Sequence, residues 1–119
     1  MGHILIVDDQ VGIRLLLSEV FKKEGYTTYI VANGIEALQV FEQNEIDCIL
    51  LDIKMPGMDG IEILKKVREV DLEIPVFMMT AYGEQDLMEV ATSLNVHRFF
   101  TKPFNIFDVR DTINQLLKG

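Results

Sequence analysis

Short apolar runs recur along the chain, and segments with helical periodicity separate them. Most of these runs are nearly continuous rather than alternating, which is typical of strands that are covered on both faces of a sheet. We therefore predict five strands, at Ile4–Val7, Thr27–Val31, Cys48–Leu51, Val76–Met79 and Arg98–Thr101.

Each segment that follows a run predicts one helix, because its apolar residues recur at spacings of three and four and so fall on one face. The clearest stripe belongs to the first helix and consists of Ile13, Leu16, Leu17, Val20 and Phe21. The other stripes are Ala37, Leu38 and Phe41; Ile63, Leu64, Val67 and Val70; Leu87, Val90, Ala91 and Leu94; and Val109, Ile113, Leu116 and Leu117.

This alternation of strand and helix predicts an α/β fold with a parallel sheet, right-handed crossovers and helices on both faces. We predict a flavodoxin-like, doubly wound sheet of five strands in the order 2-1-3-4-5, with five helices. No linker, repeat or low-complexity segment interrupts the pattern. We therefore expect residues 1–119 to form a single domain without a separate output domain.

Charge and composition narrow the function classes. The 119 residues include 11 basic and 19 acidic side chains, which give a formal net charge of −8. That balance argues against nucleic-acid binding, because no basic stripe is available to neutralise phosphates. No apolar segment approaches the ~20 residues that span a bilayer, so we expect a cytoplasmic protein. The single cysteine, Cys48, excludes an internal disulfide and is expected to be buried.

Charged or hydroxyl side chains follow four of the five predicted strands. They are Asp8 and Asp9 after the first strand, Asp52 after the third, Thr80 after the fourth and Lys102 after the fifth. The carboxyl ends of parallel strands meet at one edge of the sheet, where α/β proteins bind their ligands. We therefore expect these side chains to lie close together.

Three neighbouring carboxylates repel one another unless a cation joins them. Magnesium suits such an open site, because it binds oxygen ligands and keeps several waters. Together with Lys102 and Thr80, the carboxylates could hold a phosphoryl group, and one of them could be the nucleophile that forms an aspartyl phosphate. Taken singly, Asp8 and Asp9 could instead cap a helix, Asp52 could be a turn residue and Lys102 a solvated charge.

Four sequence motifs together resemble the receiver domain of bacterial response regulators, in the family's order and spacing. They are ILIVDD at 4–9, LLDIKMPGMDG at 50–60, MTA at 79–81 and TKPF at 101–104. The resemblance spans the whole chain. It implies that Asp52 accepts a phosphoryl group from a phosphohistidine of a sensor histidine kinase, that Thr80 reorients to bond the phosphate and that Lys102 pairs with it.

The resemblance also implies a magnesium site and a switch. Asp9 would bind magnesium directly and Asp8 largely through water, with Asp52 and the backbone carbonyl of Lys54 as further ligands. The Lys102–Pro103 peptide would be cis. Phe99 stands where the family often has a switch tyrosine, three residues before the lysine, so a switch that signals through a tyrosine hydroxyl is not expected here.

Two positions that flank the acceptor in this family vary, and here they are Lys54 and Tyr82. Both side chains are large, and neither offers a carboxylate or amide suited to orient an attacking water. We therefore predict a long-lived phosphorylated state, unless both side chains point into solvent.

The stretches at 9–14, 19–26 and 80–84 most resemble the stand-alone regulators of sporulation phosphorelays. That resemblance implies transfer onward to a histidine phosphotransferase, by a protein that we expect to be monomeric. Leu15 falls off the core stripe of the first helix, which suggests an apolar patch beside the site. The predicted docking residues are Gly12, Ile13, Leu16, Pro103 and Phe104. The alternative is a chemotaxis-like receiver that docks on a target when phosphorylated.

Two enzyme classes share parts of this pattern. A haloacid-dehalogenase-like phosphatase also forms an aspartyl phosphate, but it needs a second aspartate two residues later, where this chain has Lys54. A flavodoxin needs a hydroxyl- and glycine-rich phosphate loop after the first strand, where Asp8 and Asp9 would repel the FMN phosphate. We therefore expect a signalling phosphoacceptor rather than an enzyme.

Overall fold

The computed structural model describes residues 2–119, in which strands and helices alternate from end to end. The strands are β1 (His3–Val7), β2 (Thr27–Val31), β3 (Cys48–Asp52), β4 (Val76–Thr80) and β5 (Arg98–Thr101). The helices are α1 (Val11–Lys23), α2 (Gly34–Gln43), α3 (Gly60–Val70), α4 (Gln85–Ser93) and α5 (Ile106–Lys118). All strand pairs are parallel, and the order β2-β1-β3-β4-β5 confirms the prediction.

The sheet separates two hydrophobic cores, because successive residues of its central strands point to opposite faces. In β1, Leu5 and Val7 face the core that includes residues of α2, α3 and α4, whereas Ile4 and Ile6 face the core formed with α1 and α5. Every residue of β3 and β4 is buried. This burial explains why the apolar runs of the inner strands show no alternation.

Three apolar residues that the helical spacing placed on core stripes are exposed instead. Leu16 of α1 is 49% exposed, Val70 of α3 is 73% exposed and Val90 of α4 is 39% exposed. The buried side of α1 consists of Leu17, Ser18 and Phe21. Ser18 is accommodated because its hydroxyl hydrogen-bonds the Thr28 hydroxyl at 2.8 Å. In α1, α3 and α4 the face that the sheet covers is thus narrower than the apolar stripe.

The third and fourth strands continue one residue beyond their apolar runs, and this extension fixes the site. Asp52 is the last residue of β3, where it pairs with Met79, and Thr80 is the last residue of β4, where it pairs with Thr101. The two polar residues are therefore held in the sheet ladder rather than in loops. Among residues 2–119, no helix has the length and apolar character needed to cross a membrane.

Candidate functional site

The carboxyl edge of the sheet brings three carboxylates together. Oxygen atoms of Asp8, Asp9 and Asp52 all lie within 4.8 Å of one another. Asp8 follows β1 and is fully buried, Asp52 ends β3 and is 6% exposed, and Asp9 is exposed. The arrangement therefore has two carboxylates inside the protein and one at its surface, as an oxygen-ligand site open on one side requires.

Asp8 organises the loop that joins β1 to α1. Its Oδ1 accepts the Gln10 backbone N–H at 2.8 Å, and its backbone carbonyl accepts a hydrogen bond from the Arg14 guanidinium at 2.7 Å. Gln10 is the N-cap of α1, and it makes no side-chain capping bond. Neither aspartate is the N-cap residue of α1, so a capping role alone does not account for the pair.

Lys102 lies between the two buried carboxylates. Its Nζ is 2.9 Å from Asp8 Oδ2 and 3.4 Å from Asp52 Oδ2. Burial by itself would lower the pKa of Lys102, but its hydrogen bonds with Asp8 and the negative charges of Asp52 and Asp8 raise that pKa overall. The ammonium is thus a fixed positive charge. The Lys102–Pro103 peptide is cis, as the resemblance implies.

The pKa of Asp52 is raised to about 6, from an ordinary value of 3.8. Burial is the largest cause, and the charge of Asp8 adds to it; the charge of Lys102 and a hydrogen bond from the Lys54 backbone partly offset both. One ammonium therefore does not balance the carboxylates of this site. Charge repulsion remains, which a bound cation would relieve.

Thr80 provides a hydroxyl without a partner. The residue is 1% exposed, and within residues 2–119 no hydrogen-bond partner lies near its Oγ1. Buried hydroxyls are nearly always hydrogen-bonded, and an exception calls for an explanation such as a ligand. Directly after it, the Ala81 N–H donates to the Glu84 carboxylate at 2.6 Å.

The residues predicted to set the lifetime of the phosphorylated state, Lys54 and Tyr82, and the predicted switch residue, Phe99, lie in different surroundings. Lys54 is exposed and Tyr82 is 97% exposed, so the tyrosine ring packs on almost nothing in this conformation. Phe99, on the edge strand β5, is half-buried against the core shared with α3 and α4. The exposure of Lys54 and Tyr82 favours the alternative in which both side chains point into solvent and leave the lifetime unchanged. The lifetime and switch roles of these residues stay predictions.

Four of the five predicted docking residues line one surface groove of about 440 Å³ beside the site. Its lining consists of Ile13, Leu16, Pro103 and Phe104, with Gln10 and Lys102. Gly12 is exposed on α1, and a side-chain carbon added there would meet nothing within 4 Å. Because Lys102 belongs both to the groove and to the ion pairs, a partner in the groove would lie next to the carboxylates.

Sequence reasoning missed Arg14 and Glu84, which bond backbone groups beside the site. Neither has a periodic signal. The contact of Glu84 depends on a loop turn at Gly83, whose φ is +89°, and that of Arg14 depends on which way a long side chain extends.

Comparison with known proteins places this architecture in one family. Residues 4–114 match the response regulator receiver domain model. The chain is 52% identical over 114 residues to sporulation initiation phosphotransferase F of Bacillus subtilis, covering 96% of this chain and 92% of that protein. It is 34% identical to the chemotaxis protein CheY of Bacillus subtilis, over 98% of this chain and 99% of that protein.

Solved structures agree with these sequence matches. A CheY-like receiver domain protein from Methanospirillum hungatei superposes with a TM-score of 0.93 at 29% identity, over 99% of this chain and 94% of that one. The chemotaxis protein CheY4 of Vibrio cholerae gives a TM-score of 0.89 at 29% identity, over 97% and 98%. The chain belongs to the response regulator receiver domain family.

Proposed function

We propose that this protein is a phosphorelay intermediate that receives a phosphoryl group on Asp52 and passes it to a histidine phosphotransferase. The observation that carries the proposal is the position of Asp52, which is paired with Lys102 at 3.4 Å and clustered with Asp8 and Asp9. A buried carboxylate beside an ammonium and an unpaired threonine hydroxyl is suited to bear a phosphoryl group.

In the transfer step, an Asp52 carboxylate oxygen attacks the phosphorus of a phosphohistidine. The new O–P bond forms as the P–N bond breaks, and the imidazole leaves with the electron pair and takes up a proton if it was not already protonated. A pKa of about 6 leaves most Asp52 side chains ionised at neutral pH. Lys102 and Thr80 provide a charge and a hydroxyl for the phosphoryl oxygens. The reverse step returns the group to a histidine of the next protein.

The carboxylates fit a magnesium ion. We propose that Asp9, Asp52 and the Lys54 carbonyl bind it directly and that Asp8 binds largely through water. Both oxygens of Asp8 are already engaged, Oδ1 by the Gln10 N–H and Oδ2 by Lys102 at 2.9 Å, whereas Lys102 is 3.4 Å from Asp52. Magnesium, when bound, would neutralise part of the carboxylate charge and of the charge on the phosphoryl oxygens. Asp9→Ala should then weaken magnesium binding in a titration more than Asp8→Ala does. Equal binding by Asp9→Ala and the unaltered protein would contradict this assignment.

The relay role has two supports. One is the 52% identity with a protein named sporulation initiation phosphotransferase F. The other is the apolar groove formed by Ile13, Leu16, Pro103 and Phe104 next to Lys102. We propose that a histidine phosphotransferase docks there, with apolar side chains in the groove and its histidine directed to Asp52. A sensor histidine kinase would supply the phosphoryl group. The protein would act as a monomeric cytoplasmic domain over residues 1–119, with no external substrate of its own.

Phosphotransfer from purified candidate histidine kinases tests the acceptor. With magnesium present, the unaltered protein should take up one phosphoryl group per chain, Asp52→Asn should take up none, and the control Asp111→Asn should match the unaltered protein. Asp111 is exposed on α5, and within residues 2–119 its side chain hydrogen-bonds and ion-pairs with its neighbour Arg110 alone. Borohydride trapping and mass spectrometry should place the label on Asp52. Label on Asp8 or Asp9 would contradict the proposal.

Transfer from phosphorylated protein to a purified histidine phosphotransferase tests the groove. Leu16→Ser should slow this transfer at least tenfold, because it removes an apolar contact at the interface centre. Val70→Ser is the control, since Val70 is also an exposed apolar helix residue (73% exposed, against 49% for Leu16) but lies on α3 outside the groove. Equal rates for the two variants would refute docking in the groove.

A chemotaxis-like receiver is the second candidate, favoured by the 34% identity with CheY over nearly the full length of both chains. Phe99 argues against this second candidate, because a phenyl ring has no hydroxyl that could form a new hydrogen bond when the protein is phosphorylated. Failure of the phosphorylated protein to transfer to any histidine phosphotransferase, combined with phosphorylation-dependent binding to a non-relay target, would favour this second function.

A further inference from the structure

In the loop between β4 and α4, the Glu84 carboxylate at the end of the loop accepts a hydrogen bond from the backbone at its beginning. The Ala81 N–H donates to Glu84 Oε1 at 2.6 Å. Gly83 makes this turn possible, because its φ of +89° lies in the left-handed region that glycine adopts without strain. Glu84 is the N-cap of α4, yet its side chain caps no helix amide. The carboxylate is thus directed toward the sheet edge and away from the helix it precedes.

The amide that Glu84 holds lies beside the acceptor. Asp52 pairs with Met79 in the sheet, and Ala81 follows two residues later, directly after Thr80. Two hydrogen-bond donors therefore adjoin each other at this edge. The Thr80 hydroxyl has no partner within residues 2–119, whereas the Ala81 N–H is taken by an anionic oxygen.

We propose that Glu84 masks the Ala81 amide in the unphosphorylated protein and competes with the phosphoryl group for it. Carboxylate and phosphoryl oxygens are both anionic acceptors of a backbone N–H. A phosphoryl group on Asp52 would displace the Glu84 carboxylate from the amide and repel it. This inference rests on the proposed role of Asp52 as the phosphoacceptor. It makes Glu84 a residue that sets how strongly the site holds a phosphoryl group.

A loop-stabilising role for Glu84 would have the opposite effect. If the bond to Ala81 only kept the loop ordered, its loss would leave the amide less well placed, and a phosphoryl analogue would bind more weakly. Competition predicts that the same loss strengthens binding. The direction of the change therefore separates the two roles.

Trifluoroberyllate, a tetrahedral phosphoryl analogue, provides the test when titrated with magnesium in excess. Glu84→Ala should bind it about threefold to tenfold more tightly than the unaltered protein, as expected for releasing one partly solvated hydrogen bond to a charged group. Glu84→Gln keeps an acceptor oxygen without the charge and should fall between. The control is Glu89→Ala, which removes an exposed carboxylate of α4 for which residues 2–119 supply no hydrogen-bond or ion-pair partner.

Amide NMR of isotopically labelled protein gives a second readout. In the absence of the analogue, the Ala81 amide resonance should shift in Glu84→Ala and stay in place in Glu89→Ala. Unchanged or weaker analogue binding by Glu84→Ala, or an equal gain in Glu89→Ala, would overturn the inference. Asp52→Asn separates the two proposals. If this variant binds the analogue as tightly as the unaltered protein does, the assignment of Asp52 as acceptor fails. If binding requires Asp52 but is unaffected by Glu84→Ala, only the masking role of Glu84 is refuted.

Discussion

Replacing Asp52 by asparagine should stabilise the metal-free protein while abolishing its phosphorylation. The carboxylate is 6% exposed and shares its surroundings with the fully buried Asp8. Lys102 compensates only part of this charge, as the pKa of about 6 shows. Asparagine has nearly the same shape without the charge, so the variant removes both the cost of burying that charge and its repulsion by Asp8, and keeps the packing.

The structure gives the size of the effect. A pKa raised from 3.8 to about 6 corresponds to about 3 kcal/mol of unfavourable free energy for the ionised form, at about 1.4 kcal/mol per pH unit. Water and counterions reach this edge of the sheet, where Asp9 and Lys54 are exposed, and they reduce both the cost of burying the charge and the repulsion by Asp8. We therefore expect Asp52→Asn to increase the free energy of unfolding by about 1–2 kcal/mol at pH 8.

The pH dependence has a definite sign. Because the pKa of Asp52 is higher in the folded protein, the folded state binds more protons than the unfolded state between pH 3.8 and about 6. Stability from this group therefore falls as the pH rises through that window. The advantage of Asp52→Asn should be absent below the window, grow within it and be complete above pH 7.

Urea denaturation in the presence of EDTA measures this difference. The chain contains no tryptophan, so circular dichroism is the suitable signal, and Asp111→Asn is the control for loss of an exposed carboxylate. Saturating magnesium should stabilise the unaltered protein more than the variant and so reduce or reverse the gain. A variant that is less stable than the unaltered protein in EDTA at pH 8, or a gain independent of pH, would refute the argument.

Three further predictions concern other parts of the chain. Arg68 is 7% exposed and donates to the backbone carbonyls of Leu94, Asp71, Ile74 and Asn95. Arg68→Met should lower the free energy of unfolding by about 2–4 kcal/mol in urea titrations, because it leaves four buried or part-buried carbonyls without this donor. A loss below that of Arg110→Met, which removes a half-buried arginine of α5, would contradict this. Gly12→Ala should raise stability by about 0.5–1 kcal/mol, since the new methyl group meets nothing within 4 Å and alanine favours the helix; a loss of stability would show that the site is not open. Lys54→Asn and Tyr82→Ala should shorten the lifetime of phosphorylated Asp52, measured as phosphate release, if these large side chains slow the attack of water; decay no faster than that of the unaltered protein would show that both side chains act only as solvated groups.

The fold could be predicted from the sequence because its inner strands are buried on both faces. The short apolar runs at Ile4–Val7 and Val76–Met79 are typical of buried strands, and their alternation with helices leaves few possible strand orders for the sheet. Which face of each helix meets the sheet was harder to predict. The spacing of apolar residues assigned Leu16 and Val70 to the core, yet both are exposed. Spacing shows which residues share a face of the helix, but not how much of that face the sheet covers.

The site could be predicted only as far as topology determines it. The parallel sheet places Asp8, Asp52 and Lys102 together whatever the loops do, and the ion pairs of Lys102 show that it does so. The bond from Ala81 to Glu84 depends on a left-handed glycine and one side-chain rotamer. Such contacts leave no pattern in a sequence, since the same residues fit many loop conformations.

The position of Asp52, the proposed acceptor, in the sheet determines which parts of the structure can adjust to a change of its charge. Asp52 ends β3, which lies between β1 and β4 and is buried along its whole length. A phosphoryl group on Asp52 therefore cannot be accommodated by moving this strand without disrupting both cores. The neighbouring edge can adjust at lower energetic cost, because within residues 2–119 the Thr80 hydroxyl has no partner and the Ala81 N–H is held by the Glu84 carboxylate. Phe99 is half-buried on the edge strand β5, and we predict that its ring responds to either change. If Asp52 is the phosphoacceptor, as proposed, we expect the added charge to move the surface around the 81–84 loop and β5 while the centre of the sheet stays fixed.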